Sequence, residues 1–290
     1  MEEEEAATGR RARSSMESVT FTLFSDTGGV IILDPAHAGA LGGEFVELLD
    51  VALNLDETAQ ETAGRDGDWS RTWAEAVGAL RRMSAGGEFA LILSGEGTFH
   101  VRVQAEDLAD EERGRVVESF VEHVRVTSGG LAFTDGGEFF GEELPGEDAV
   151  FIEAPAGDYA VGIYHLERHP SLTPTVGVYG SETHPSLVLR LMPAAADAPA
   201  AREGEAFPRL KTSHEGYEEP RAGWDCYAQV TAVEEGSATL ELMLTETVYS
   251  GEARMSLPEG EELKVGDYVL VRLVEDAGDY WRAEWQGDPQ

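Results

Sequence analysis

Hydrophobic and polar positions alternate from Ser18 onward. In SVTFTLF, Val19, Phe21 and Leu23 share one face, the period-two signature of a half-buried strand. SDTGG then supplies a turn, and VIILDP is a short, wholly apolar strand stopped by Pro35. The stretch 44–55, EFVELLDVALNL, fits a helix and a strand equally well. In DWSRTWAEAVGALRRMSAGG the period changes. Trp69, Trp73, Ala76, Val77, Leu80 and Met83 form one stripe of a 3.6-residue repeat, which predicts an amphipathic helix with its tryptophans in the core. Asp68 or Ser70 is placed to cap its start, Arg81 and Arg82 suit its negative end, and Gly86 can terminate it.

EFALIL and TFHVRV flank SGEG, so 88–103 reads as a β-hairpin. The segment 108–126 carries both signals: Val116, Val117, Phe120, Val121 and Val124 fit a helix, whereas HVRVTSGGLAF reads as strand, turn and strand. The reading adopted is a short helix giving way to a strand near Val124. EDAVFIEAP, GDYAVGIYHLE, TVGVYGSE and SLVLRL follow as four strands of an antiparallel meander. After residue 193 the text turns to Ala, Pro and charge without periodicity. Five short alternating strands then fill the remainder, enough for a small barrel. Gly-Asp-Tyr occurs at 157–159, 266–268 and 278–280, each time as the turn that opens a strand.

The elements predict an α+β fold. Residues 17–192 form an antiparallel, β-rich domain with one well-defined amphipathic helix. Residues 193–221 are a linker, and 222–287 a small C-terminal β-barrel of OB or SH3 size. Residues 1–16 are expected to be a disordered leader of acidic residues and arginines, within which Met16 is a second candidate start.

Charge narrows the function. The 290 residues hold 56 acidic and 21 basic side chains, for a net charge of −35, and only Lys211 and Lys264 are lysines. Such a field repels phosphate backbones and anionic lipid surfaces, so neither nucleic acid nor a membrane is an expected partner. Two meanings of the acidity remain: adaptation to a salt-rich interior, or a surface for a basic protein partner. Cys226 is the sole cysteine, so no intramolecular disulfide can form, and no apolar run reaches the length of a spanning helix. The expected location is the cytoplasm.

Candidate chemistry is sparse. Asp26-Thr27-Gly28 is similar over three residues to the signature of aspartic proteases, but Ser25 stands where that family carries an apolar residue. Its one echo, Thr134-Asp135-Gly136, has a different order, and a tight turn needs the same residue types. VGIYHLERHPSL at 161–172 recurs as VGVYGSETHPSL at 176–187, a spacing of fifteen residues. His165, His169 and His184, with Glu167 and Glu182, are metal-ligand types. On a meander, however, His169 and His184 lie in successive turns at opposite ends of a strand spanning roughly 25–30 Å. No metal and no cofactor are therefore expected. The same geometry sets Tyr164 directly across from Tyr179. Tyr164, Tyr179, His165 and Asp26 are the candidate binding residues. The reading that results is a non-catalytic protein-binding protein. Its alternatives are a hydrolase using carboxylates or a His/Asp pair in the larger domain, and a structural protein adapted to salt.

Overall fold

A computed structural model describes residues 18–25, 28–53, 68–94, 97–137, 149–194, 207–210, 220–234, 236–243, 249–257 and 263–287. The leader 1–16 and Asp26 lie outside these residues. The alternating run forms β1 (Val19–Ser25) and the apolar run β2 (Gly29–Leu33). EFALIL and TFHVRV are strands as expected, β3 (Phe89–Leu93) and β4 (Gly97–Gln104), but they do not pair as a hairpin. β4 pairs with β1, from Val19↔Val103 to Ser25↔Gly97, and β3 pairs with β2, from Gly29↔Leu93 to Leu33↔Phe89. The antiparallel register runs unshifted across both breaks. Both strands of this ribbon pass from one sheet to the other at a shared corner. Ser94 N–H donates to Gly28 C=O at that corner, and Ser25 Oγ donates to Asp135 Oδ1 at 2.7 Å.

β2 and β3 belong to a four-stranded sheet, ordered β3-β2-β6-β7, with β6 (Gly130–Asp135) and β7 (Val150–Glu153). It is the middle of three layers. Ile31, Leu33, Phe89 and Leu91 face two helices, while Val30, Ile32, Ala90 and Ile92 face the other sheet. A sheet covered on both faces has no polar side, so VIIL and FALIL carry no alternation.

The helices are α1 (Pro35–Leu53), which kinks at Gly42, and α2 (Asp68–Ser84). The ambiguous 44–55 is thus helical up to Leu53: Phe45, Leu49, Ala52 and Leu53 recur at helical spacing and are all buried. On α2, Val77 and Leu80 join the same core with Trp73 and Met83 at its margin, and Trp73 Nε1 donates to Ala52 C=O at 3.0 Å.

The outer, six-stranded sheet has the order β1-β4-β10-β8-β5, with β5 (Val116–Val126), β8 (Gly157–Leu166) and β10 (Leu187–Pro193); β9 (Val178–Tyr179) pairs with β4. The helix expected to run toward Val124 shrinks to α3 (Asp110–Gly114). β5 claims the valines instead, because pairing with β8 along its length buries Val124 and Val126. β-branched residues prefer that environment. The meander is not formed either. β7 lies in the other sheet, β9 has two residues, and β10 returns between β8 and β4, parallel to β4.

β11 (Asp225–Glu234), β12 (Ser237–Met243), β13 (Tyr249–Ser256), β14 (Tyr268–Asp276) and β15 (Trp281–Gly287) close a barrel in the order β11-β12-β13-β15-β14. Its single parallel pair, β13 with β15, gives it the OB arrangement. Cys226, Val230, Leu240, Leu242, Val269, Val271 and Leu273 fill it. The stretch read as a linker is anchored in part: Phe207 and Leu210 are buried, and Leu93 exchanges backbone hydrogen bonds with Pro208 and Leu210. Among the described residues no helix is long and apolar enough to cross a membrane.

Candidate functional site

Three chain segments meet at one end of the six-stranded sheet, and the ladder explains why. β8 pairs antiparallel with both β5 and β10, so the end of β8 lies beside the beginnings of its two neighbours. Leu166 N–H donates to Ser186 C=O at 2.8 Å, and Glu167 N–H to Arg115 C=O at 2.8 Å. His169 follows β8, His184 precedes β10, and Glu111 sits on α3 just before β5. The intervening loop turns at His169–Leu172, where Leu172 N–H donates to His169 C=O. It then touches the barrel, where Val176 N–H donates to Asp225 C=O and Asp225 N–H to Pro174 C=O, and comes back through Ser181–His184.

His169 and His184 therefore do not sit at opposite ends of a strand. Their rings stack at 3.8 Å between centroids, 29° from parallel. His169 Nε2 lies 2.8 Å from Glu111 Oε1. His169 Nδ1 is 2.6 Å from Ser171 Oγ and 3.2 Å from Ser171 N. Ser171 can thus serve either tautomer, donating to a bare Nδ1 through its N–H or accepting from Nδ1–H through its hydroxyl. His184 Nδ1 is 3.0 Å from Thr183 Oγ1, which leaves its Nε2 for other partners. Glu111 is exposed and both histidines are half-buried.

The return turn depends on Gly180. Its φ is +85°, and a Cβ there would stand 2.5 Å from Ser186 N and 2.8 Å from His184 O. Gly180→Ala is expected to cost about 1–3 kcal/mol in denaturant melts, because neither the backbone conformation nor the space suits a side chain.

The other candidates scatter. Tyr164 lies across from Val188 and Ser119, not from Tyr179. Its ring covers Gly162 and packs at the margin of the Leu108, Leu166 and Val188 cluster. Tyr179 stacks on Phe99 at 4.8 Å. Both half-buried tyrosines pack against neighbouring side chains, and the glycines of the repeat also serve different ends: Gly162 makes room for a ring, and Gly177 turns the chain at φ +72°. His165 points inward, is buried, and lies 3.6 Å from Glu118. Burial pushes the Cys226 thiol up to about 12, which leaves it protonated at neutral pH and a poor nucleophile.

Charge is arranged unevenly. Arg81, Arg102, Arg125, Arg190, Arg272 and Arg282 each pair with a carboxylate of the chain itself. β5 is the last strand of its sheet. Val117 and Val121 on its outer face are 41% and 56% exposed, an uncovered apolar stretch, while further along the strand Arg125 N–H donates to Gly87 C=O. On the barrel, an open groove of about 590 Å³ is lined by Arg254, Arg282, Tyr280 and Trp285, among others.

No family model and no curated protein matches this sequence. Two solved structures resemble part of it. A protein described as crocagin biosynthetic gene J is 16% identical, with a TM-score of 0.35, over 62% of this chain and 99% of the other. ComJ from Bacillus subtilis, described as an inhibitor of the DNA-degrading activity of NucA, is 9% identical, with a TM-score of 0.30, over 62% of this chain and 98% of the other. Likenesses of this size carry no functional weight.

Proposed function

We propose that the protein is a non-catalytic binding protein whose partner is a basic protein segment. The observation that carries this reading is the distribution of charge. The chain bears a net charge of −35, and its described arginines are largely spent on internal carboxylates. The surplus that reaches solvent is acidic, and such a field steers cationic partners while rejecting anionic ones. The β5 edge supplies a docking geometry. An extended basic segment docking beside Val117 and Val121 would lay apolar side chains on these two valines. The hydrolase alternative finds its buried carboxylates already engaged: Asp135 by Ser25 and Gly137, Glu122 by Arg81, and Asp225 by Arg272.

Val121→Lys tests the reading. At so exposed a position it is expected to shift stability by no more than about 0.5 kcal/mol. In pull-downs at low salt from the source cells, wild-type protein should retain a basic protein in near-stoichiometric yield that elutes as salt is raised. The Val121→Lys protein should retain at least tenfold less. Equal capture by both, or capture of nothing basic, would overturn it. The scarcity of lysine supports a second reading, adaptation to salt. Unfolding at low salt, reversed in molar salt, would favour that one.

A further inference from the structure

We propose that Glu111, His169 and His184 form a binding site for a first-row divalent cation, with zinc the best fit. The candidate ligand atoms of the three residues all lie within 4.8 Å of one another, close enough to converge on one ion with small side-chain movements. One carboxylate oxygen and two imidazole nitrogens are a borderline-soft set that suits Zn²⁺, Co²⁺ or Ni²⁺ over Mg²⁺ or Ca²⁺, which prefer all-oxygen shells. Three protein ligands leave a fourth position to water.

The surroundings fit as well as the ligands. A metal-bound histidine normally hands its other ring N–H to an oxygen, which fixes the tautomer and aims the free nitrogen. Ser171 Oγ stands 2.6 Å from His169 Nδ1 and Thr183 Oγ1 stands 3.0 Å from His184 Nδ1, so both rings have that acceptor and both present Nε2. His169 Nε2 already faces Glu111. With the ion bound, Nε2 of His169 is the ligand and the ring N–H is at Nδ1, where Ser171 Oγ accepts it. The three ligands come from α3, the loop after β8 and the loop before β10, so the ion would tie together the approaches to three neighbouring strands.

An acidic chain also collects divalent ions loosely on its carboxylates, and the test must separate the two. Full-length protein is titrated with Co²⁺, read by its visible ligand-field bands, and with Zn²⁺ by calorimetry, both in excess Mg²⁺ to occupy the general acidic surface. The expected result is one Co²⁺ per chain, displaced by one Zn²⁺. His169→Ala and His184→Ala should each weaken Zn²⁺ by more than about tenfold, Glu111→Gln should weaken it less, and His123→Ala, outside the cluster, should leave it unchanged. Circular dichroism of each variant separates lost ligands from lost fold. Zn²⁺ binding that survives His169→Ala/His184→Ala, or the absence of a histidine-dependent site at 100-fold excess of Zn²⁺, would overturn the proposal.

Discussion

Glu122→Leu, with Arg81 left in place, is expected to destabilise the protein by about 3–5 kcal/mol. Arg81 on α2 and Glu122 on β5 face each other at 2.6 Å, with their side chains only 5% and 3% exposed. The guanidinium also lies 4.8 Å from the centre of the Phe207 ring. Removing the carboxylate strands a charge that α2 cannot carry back to water without leaving the sheet. Arg81→Met should cost a similar amount for the mirror reason. The double variant Arg81→Met/Glu122→Leu is expected to fall within about 1–2 kcal/mol of wild type, because an apolar pair of similar volume needs no desolvation. Urea melts of the four proteins check this. Single variants that cost less than the double would show that the pair is not an isolated unit.

The second large effect belongs to Asp34. Burial by itself would raise its carboxyl. The donors around it, Ser128 first and then Thr127 and Ala36, outweigh burial and hold it well below the usual carboxylate range. Ala36 N–H donates at 2.9 Å, Thr127 Oγ1–H at 2.7 Å and Ser128 N–H at 2.8 Å, and Thr127 N–H and Ser128 Oγ–H complete the cage. The carboxylate thus ties the end of β2 to the corner between β5 and β6. Asp34→Ala is expected to cost about 1–3 kcal/mol: five donors lose a shared acceptor together, and those on the exposed Ala36, Thr127 and Ser128 regain part of the loss from water. A pKa lowered on folding means that the unfolded chain binds the proton first. The stability Asp34 supplies is therefore fully present above about pH 4 and drains away as pH falls below it. Wild-type stability should show that acid loss, and Asp34→Asn should flatten it. An unchanged slope in the variant would remove Asp34 from the account.

Local pattern was a good guide to strands and helices and a poor one to their partners. β1, β2, β3, β4 and α2 are where periodicity put them, since each is decided by which faces its own residues bury. The hairpin at 88–103 is not formed: SGEG has the composition of a reversal, but composition does not say whether the flanking strands pair with each other or, as here, with β2 and β1. The valines of 116–124 satisfy helix and strand periods alike, and β8, far along the chain, made the choice. The histidine pair is visible as a motif, but only a topology in which each strand pairs with the next would put its members at opposite ends of the sheet, and β10 pairs with β8 instead. Glu111 gave no signal at all: in an acidic chain one more carboxylate is unremarkable, and only the antiparallel pairing of β5 with β8 brings it to His169. Asp34 hides in the same way, as a turn residue before Pro35.

The unshifted register of the β1–β2 and β3–β4 ribbon also sets an order on how the chain reaches its native state. The rungs nearest the helices, Leu33↔Phe89, close the shortest loop, and those at Val19↔Val103 the longest. Once the first rung forms, each later one adds a pair without paying for closure again, so assembly can zip outward through the corner at Ser25 and Gly29. The end where His169, His184 and Glu111 gather leans on this ribbon through β10, which pairs with β4 on one side and β8 on the other.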